Sequence, residues 1–263
     1  MKKEEILKRF NKQKLELASI EESSPYFISG EWEWIVNSKL PEMEEILSFS
    51  GEQFYNIEHI SMENEIKRHL GIAKQVQKLS TTGDVYLEIG AGTGGVCYHL
   101  MDKFYKNNKY VIFDIPETLL VCYAFLRENM NKKFKVYYYG DETESFDLNK
   151  ILRNYDIVLL PHYKFEDVSI EFDVFINTGS FCEMPVHTCE NYIDKVLSFS
   201  KGGNKYFMEY RRADMLCVPE HGPREDHKNE ICVHSIMEKK KISIKSMQQA
   251  QHNHTYWEVT YED

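Results

Sequence analysis

The sequence predicts an α/β fold, in which a mostly parallel, twisted sheet of about seven strands ends in an antiparallel C-terminal hairpin and follows an N-terminal helical segment. Three observations support this prediction. From Thr82 onward, short apolar runs alternate with helical stretches, as in β-α-β units. The last two runs alternate in the manner of a hairpin. The first 80 residues carry no strand pattern.

Length and composition bound the protein class. The chain has 263 residues, of which 42% are hydrophobic and 28% charged, as expected for a globular protein with one main domain. A net charge of -10 argues against nucleic acid as the principal partner and favours a small molecule. No signal peptide or membrane-inserting run is visible, which predicts a cytoplasmic protein. The six cysteines lack a C-x-x-C pair and are expected to be reduced.

The segment 1–80 is predicted to be helical, with the boundary to the second unit, 81–263, at "STTGD". Pro41 and Ser61 provide start signals for two of its helices. The predicted helices lie in "EEILKRFNKQKLEL", "GEWEWIVNSKL", "PEMEEILSF" and "SMENEIKRHLGIAKQVQKL". We expect this segment to cap the acceptor or to form the contacts of a homodimer.

The segment 81–263 supplies the strands. They are expected to be buried on both faces, with amphipathic helices after the first, second and fifth. The predicted strands are "VYLEIG", "KYVIFDI", "KVYYYG", "YDIVLLP", "FDVFINT" and "KYFMEY", followed by the hairpin runs "KKISIKSMQQAQ" and "TYWEVTYED".

A glycine loop follows the first strand. In "GAGTGG", Gly90, Gly92 and Gly95 satisfy G-x-G-x-x-G between a strand and a helix. Glycines allow a sharp turn and close approach of a ligand, and the free amides at the helix start are donors. By itself this pattern is typical of several nucleotide cofactors.

Glu88 narrows the choice, because a dinucleotide fold usually has an apolar residue at that point of the buried strand. The arrangement E-x-G-x-G resembles the first motif of the class I methyltransferases, which have a Rossmann-like fold and bind S-adenosylmethionine. The resemblance implies that Glu88, Gly90, Gly92 and Gly94 surround the methionine part of this cofactor, which leaves the reaction as S-adenosylhomocysteine.

Asp114 ends the next strand, where a carboxylate can accept both hydrogen bonds of a ribose diol. Enzymes that use NAD have the same feature, so Asp114 indicates an adenosine-type ligand without choosing between the cofactors. A dinucleotide oxidoreductase therefore stays open as an alternative, and Glu88 and the C-terminal hairpin favour the methyltransferase.

Three further segments resemble the family of bacterial sugar O-methyltransferases: "FDIPETL", "LLPHYKF" and "FDVFINTGSFCEM" with "YIDKV". The resemblance covers about residues 82–212 and implies O-methylation of a sugar-derived acceptor in surface-polysaccharide synthesis. It places Ser180 and Glu183 beside the acceptor. His162 is expected to line the adenine, and Asn177 at the exit of its strand to contact the cofactor.

Methyl transfer to a hydroxyl oxygen needs alignment and removal of a proton. Candidate bases are Glu183, His187 one turn further along, and His221. The alternative interpretation of Glu183 is that it lies in a polar turn and only accepts hydrogen bonds from free amides. The spacing of the histidines suits no common zinc motif, so we predict no metal.

The long segment 209–234 carries Arg211 and Arg212, which could bind the phosphates of a nucleotide-linked acceptor. Acidic residues in the same segment balance their charge, so a solvated loop with internal ion pairs stays open. The arginines also motivate an alternative reaction, methylation of a phosphate or phosphoramidate oxygen. A second alternative is a binding module with this fold and no catalysis.

Overall fold

The described residues form one eight-stranded sheet. The computed structural model describes residues 1–20, 43–50, 53–56, 62–104, 107–130, 133–140, 146–184, 186–200, 202–210, 233–250 and 257–262. The strands are β1 Val85–Ile89, β2 Lys109–Asp114, β3 Val136–Tyr138, β4 Ile157–Pro161, β5 Val174–Thr178, β6 Lys205–Tyr210, β7 Ser243–Gln249 and β8 Trp257–Glu262.

The strand order is β3-β4-β2-β1-β5-β6-β8-β7. Strands β1 to β6 pair in parallel, whereas β8 pairs antiparallel with both β6 and β7. The predicted parallel sheet with an antiparallel C-terminal hairpin is therefore confirmed, with one strand more than the expected seven or so. The strand order reverses at β1, because β2 lies on one side of it and β5 on the other. In such sheets, ligands bind beyond the carboxyl ends of the strands at the point of reversal.

Helices cover both faces. They are α1 Lys3–Ser19, α2 Met43–Ile46, α3 Gln53–Asn56, α4 Met62–Leu79, α5 Gly95–Lys103, α6 Pro116–Asn129, α7 Leu148–Asn154, α8 Val186–Ser198 and α9 Val233–Lys239. Helix α6 begins at Pro116, where the missing amide costs nothing. The sequence analysis did not predict α7, and Asp147 caps it by accepting from the amide of Lys150 at 3.1 Å. The helix predicted in "GEWEWIVNSKL" and the N-cap Ser61 lie outside the described residues.

Alternate residues of each central strand enter two hydrophobic clusters. Tyr110 and Ile112 of β2 face the first cluster, with α1, α4, α5 and α6, and Val111 and Phe113 face the second, with α8 and α9. Burial on both faces is therefore confirmed for the central strands β1, β2, β4, β5 and β6, whereas β3 at the edge of the sheet is only partly buried. Helices that precede residue 80 share the first cluster with the sheet, and the division at 80 stays a prediction.

Helix α1 is fixed across the end of β3. Gln13 is fully buried and donates from Nε2 to the carbonyl of Tyr139 at 2.9 Å, and Arg9 donates to the carbonyl of Tyr138 at 2.7 Å. Tyr163 donates to Glu16 at 2.9 Å. These bonds bring α1 to the carboxyl edge of the sheet. Among the described helices, none has the length and apolar character needed to cross a bilayer.

Candidate functional site

The glycine loop leaves β1 through backbone conformations that only glycine adopts readily. Gly90, Gly92 and Gly94 have φ of 74°, 56° and 80°, which is the left-handed region. The amide of Gly90 donates to the carbonyl of Phe113 at 2.9 Å, and that of Gly92 donates to Asp114 Oδ2 at 3.1 Å. The loop is therefore tied to the end of β2.

Two helices pack so tightly against the loop that a Cβ would not fit. At Gly94, the residue before α5, a Cβ would lie 2.5 Å from the Sγ of Cys122 in α6. At Gly95 it would collide with the ring of His69 in α4. Gly94 and Gly95 therefore allow α6 and α4 to pack closely against the loop, in addition to any contact with a ligand.

Glu88 is fully buried two residues before the loop. Its Oε2 accepts from the hydroxyl of Tyr110 at 2.8 Å, and its Oε1 has no hydrogen-bond partner among the described residues. Burial, helped by the negative charge of Asp114, raises the pKa of Glu88 to about 8. Tyr110 is therefore the hydrogen-bond donor to this carboxyl, and it satisfies one of the two oxygens.

Asp114 and His162 end the neighbouring strands β2 and β4, where Asp114 pairs in register with Pro161. Asp114 accepts from the amides of Gly92 at 3.1 Å and Ile115 at 2.8 Å. His162 is buried, and this burial lowers its pKa to about 4, so the imidazole is neutral at pH 7. These two predicted cofactor residues are side by side at the carboxyl edge.

Asn177 and Ser180 hydrogen-bond the end of β5 and the turn after it to the end of β1. Asn177 Nδ2 donates to the carbonyl of Ile89 at 3.0 Å and to Ser180 Oγ at 2.6 Å, and Ser180 Oγ donates to the same carbonyl at 3.0 Å. Asn177 Oδ1 accepts from the amide of Phe181 at 3.2 Å. These bonds hold the turn after β5 against the glycine loop, and the predicted ligand contacts of Asn177 and Ser180 stay predictions.

The predicted acceptor side is described in part. His187 lies on the exposed face of α8, next to the buried Thr188. The backbone of Glu183 ends a 3-10 helix that starts at Ser180, but its side chain lies outside the description. Arg211, Arg212 and His221 also lie outside the described residues. Within the described ranges, no three His, Cys, Asp or Glu side chains form a group suited to a metal ion.

The sequence analysis missed a buried charged cluster that α4 brings to the ends of β5 and β6. Arg68 donates to Glu209 Oε2 from Nε at 2.9 Å and from Nη2 at 2.6 Å, and to the carbonyl of Thr178 at 3.2 Å. Glu65 Oε2 lies 3.2 Å from both Arg68 Nη1 and His69 Nε2. Glu209 is fully buried at the side chain, so the guanidinium neutralises a carboxylate that water does not reach.

Two signals could have revealed this α4 cluster of Glu65, Arg68, His69 and Glu209. Glu65, Arg68 and His69 have the i, i+3, i+4 spacing of one helix face. Glu209 interrupts an apolar strand just as Glu88 does. The cluster makes the carboxyl edge asymmetric, with Asp114 and His162 on one side of the glycine loop and paired charges on the other.

Solved structures share this architecture at low identity. The PH0226 protein of Pyrococcus horikoshii has a TM-score of 0.51 at 12% identity, over 74% of this chain and 89% of that one. A Nostoc punctiforme protein described as a candidate O-methyltransferase has 0.52 at 12%, over 75% of this chain, which spans 56% of the Nostoc protein. The pyocyanin biosynthetic protein PhzM has 0.52 at 9%, over 91% of this chain and 68% of its own.

No protein-family model matches the sequence, and the search of curated proteins finds no match either. The likeness is therefore one of fold. Strand order, the C-terminal hairpin and these neighbours confirm the Rossmann-like class I methyltransferase fold that the sequence predicts.

Proposed function

We propose that this chain, which has the class I methyltransferase fold, binds S-adenosylmethionine and transfers its methyl group to an oxygen of a small sugar-derived acceptor. One observation carries the cofactor assignment: the bond from the Gly92 amide to Asp114 joins the left-handed glycine loop and the acidic end of β2 into one edge. That edge lies where the strand order reverses, beside the buried Glu88.

The residues of this edge divide the cofactor between them. Asp114, whose carboxylate can accept about four hydrogen bonds, accepts from the ribose hydroxyls. His162 walls the adenine as a neutral imidazole. Gly90, Gly92 and Gly94 admit the methionine part, and Asn177 holds the loop in place through the carbonyl of Ile89.

The acceptor assignment rests on the resemblance of "FDIPETL" and "NTGSFCEM" to the sugar O-methyltransferases. A sugar hydroxyl attacks the methyl group in line with the departing sulfur and must lose its proton as it does so. Glu183 is our first candidate base, with His187 and His221 after it. Ser180, Arg211 and Arg212 are proposed to contact the acceptor, including a nucleotide-linked one, in a cytoplasmic step of surface-polysaccharide synthesis.

Calorimetry tests the cofactor assignment. We expect binding of S-adenosylmethionine and S-adenosylhomocysteine, and neither NAD nor NADP should raise the melting temperature. Loss of two hydrogen bonds in Asp114→Ala should weaken the affinity by about 10- to 100-fold. Asp167→Ala is the matched control, because Asp167 is exposed and pairs only locally with Lys164. Stabilisation by NAD alone would overturn the proposal.

Mass spectrometry of candidate nucleotide sugars after incubation with the donor tests the acceptor assignment. Glu183→Ala should keep cofactor affinity and lose turnover. Methylation that survives removal of Glu183, His187 and His221 would favour an acceptor oxygen that is already anionic, as in a phosphate or phosphoramidate. Tight cofactor binding with no product from any extract would favour a binding module.

A further inference from the structure

Glu88 is closed off from solvent directly below the glycine loop. It has no exposed surface, and Oε1 finds no hydrogen-bond partner among the described residues. The Sγ of Cys122 lies against Gly94 of the loop. Burial raises the pKa of this thiol, and the negative charges of Asp114 and Glu88 raise it further, so Glu88 lies near Cys122 and the loop. An ionised carboxylate in this position would lose the hydration of a charged group, with a hydrogen bond to only one of its two oxygens in return.

Among the described residues, the cation that acts on Glu88 is shared with other carboxylates. It is Arg68 of α4, whose guanidinium is bonded to Glu209 and Glu65. The hydrogen bond from Tyr110 favours the ionised form most, followed by the charge of Arg68 and the nearby Thr178 side chain, which does not reach hydrogen-bond geometry with Oε1, but burial opposes ionisation more strongly. The titratable and charged groups around Glu88 are Tyr110 and Asp114 from β2, Arg68 from α4, Cys97 from α5 and Cys122 from α6.

From this geometry we infer that Glu88 selects for a positively charged ligand at the loop and gives up its proton when that ligand binds. The inference rests on the proposed function. The sulfonium and ammonium groups of S-adenosylmethionine outnumber its carboxylate, so the ligand brings a net positive charge to the buried acid.

The step is a proton transfer to solvent. In the free protein Glu88 is a neutral acid, because burial raises its pKa to about 8. A cation held above the loop, where the dielectric constant is low, favours the carboxylate. The O–H bond of Glu88 breaks, the electron pair stays on the carboxylate, and the proton leaves to the buffer. Product release reverses the step.

This linkage has a defined sign. Binding releases nearly one proton per site well below pH 8 and almost none well above it. Affinity therefore rises with pH, by about ninefold between pH 6 and pH 7 for a free-state pKa near 8.

Calorimetry of the full chain with S-adenosylmethionine, in two buffers of different ionisation enthalpy, counts the protons. At about pH 6.5 the wild type should release close to one proton more than Glu88→Gln, which keeps the size and neutrality of the protonated acid but cannot ionise. Equal proton counts in the two proteins, with binding intact, would overturn the inference and leave the cofactor assignment standing. No binding by the wild type at any pH would overturn both.

A second measurement needs no ligand. A carboxyl whose pKa is raised in the folded state stabilises the fold below its unfolded pKa and loses that contribution as pH rises through the folded one. Glu88→Gln should therefore gain stability relative to the wild type between about pH 5 and pH 9 in denaturant titrations. A constant difference across this range would show that Glu88 is already ionised in the free protein and would overturn the inference.

Discussion

Substitution of Gly90 by alanine tests whether the glycine loop is held against the turn after β5. A Cβ at Gly90 would overlap both the Cβ and the Oγ of Ser180, whose Cα is 3.8 Å away. Ser180 would have to move and would lose its bonds to the carbonyl of Ile89 and to Asn177. The backbone at this position is left-handed, with φ of 74°.

These contacts set the magnitude. The left-handed backbone costs alanine about 1 kcal/mol or more, and each displaced hydrogen bond costs about 1 kcal/mol. Gly90→Ala should lower the free energy of unfolding by about 3 kcal/mol, with a fall in melting temperature of about 8 °C. Gly83→Ala is the matched control, because Gly83 has a similar φ of 88° and no atom within 4 Å of its added Cβ. It should lose about 1 kcal/mol.

Urea titration of the two variants and of Gly90→Ala with Ser180→Gly measures the contact. Removing the Ser180 side chain should recover about 1 kcal/mol or more, as a favourable coupling between the two sites. If Gly90→Ala costs no more than Gly83→Ala, or if the double variant shows no coupling, the close approach of Gly90 and Ser180 is wrong.

Three further predictions concern the α4 cluster, His162 and α1. Arg68→Met leaves the buried Glu209 without its guanidinium and should cost about 3 kcal/mol or more in denaturant titrations. Lys67→Met is the control: its ion pair with Glu63 is exposed, so it should leave stability nearly unchanged. Equal effects would contradict a buried cluster. The pKa of His162 lies near 4, so below about pH 6.5 the unfolded chain takes up a proton that the native imidazole refuses, and stability falls by up to about 3 kcal/mol by pH 4. His162→Asn should flatten that part of the pH–stability curve, and an unchanged slope would refute a neutral buried imidazole. Gln13→Ala removes a fully buried amide and its bond to the end of β3, which should cost about 1–3 kcal/mol by thermal unfolding; no change would mean that α1 does not depend on this bond.

Most of the fold could be predicted, because its signals are local. The runs from "VYLEIG" to "TYWEVTYED" all form strands of the sheet. The central strands are recognisable from their apolar composition because they are buried on both faces, and the hairpin strands from their alternation. In the third predicted helix, "PEMEEILSF", the described residues form a single helical turn, Met43–Ile46, and the predicted start at Pro41 lies outside the description. The four residues of α2 contribute Ile46 to the core. The spacing of apolar residues cannot distinguish one buried turn from the start of a longer helix.

The places of the proposed cofactor residues in the fold could also be predicted, since these residues follow directly from strand ends. Asp114 and His162 were predicted as separate features, and the parallel pairing of β2 with β4 places them together. The roles of Asn177 and Ser180 were harder to foresee. Both bond to the carbonyl of Ile89, about 90 residues earlier in the chain, and no local pattern reports such a partner.

The sequence by itself determined the left-handed glycine loop, the order of strands and helices, and the acids Glu88 and Asp114, because backbone conformation and hydrophobic periodicity are properties of neighbouring residues. Only the tertiary structure decided that Arg68 neutralises Glu209, 141 positions away. It also decided that the carboxyl of Glu88 accepts a hydrogen bond from Tyr110. The reason is physical. Whether a buried acid is paired, and hence whether it is ionised, depends on which distant groups the fold brings within a few ångströms of it.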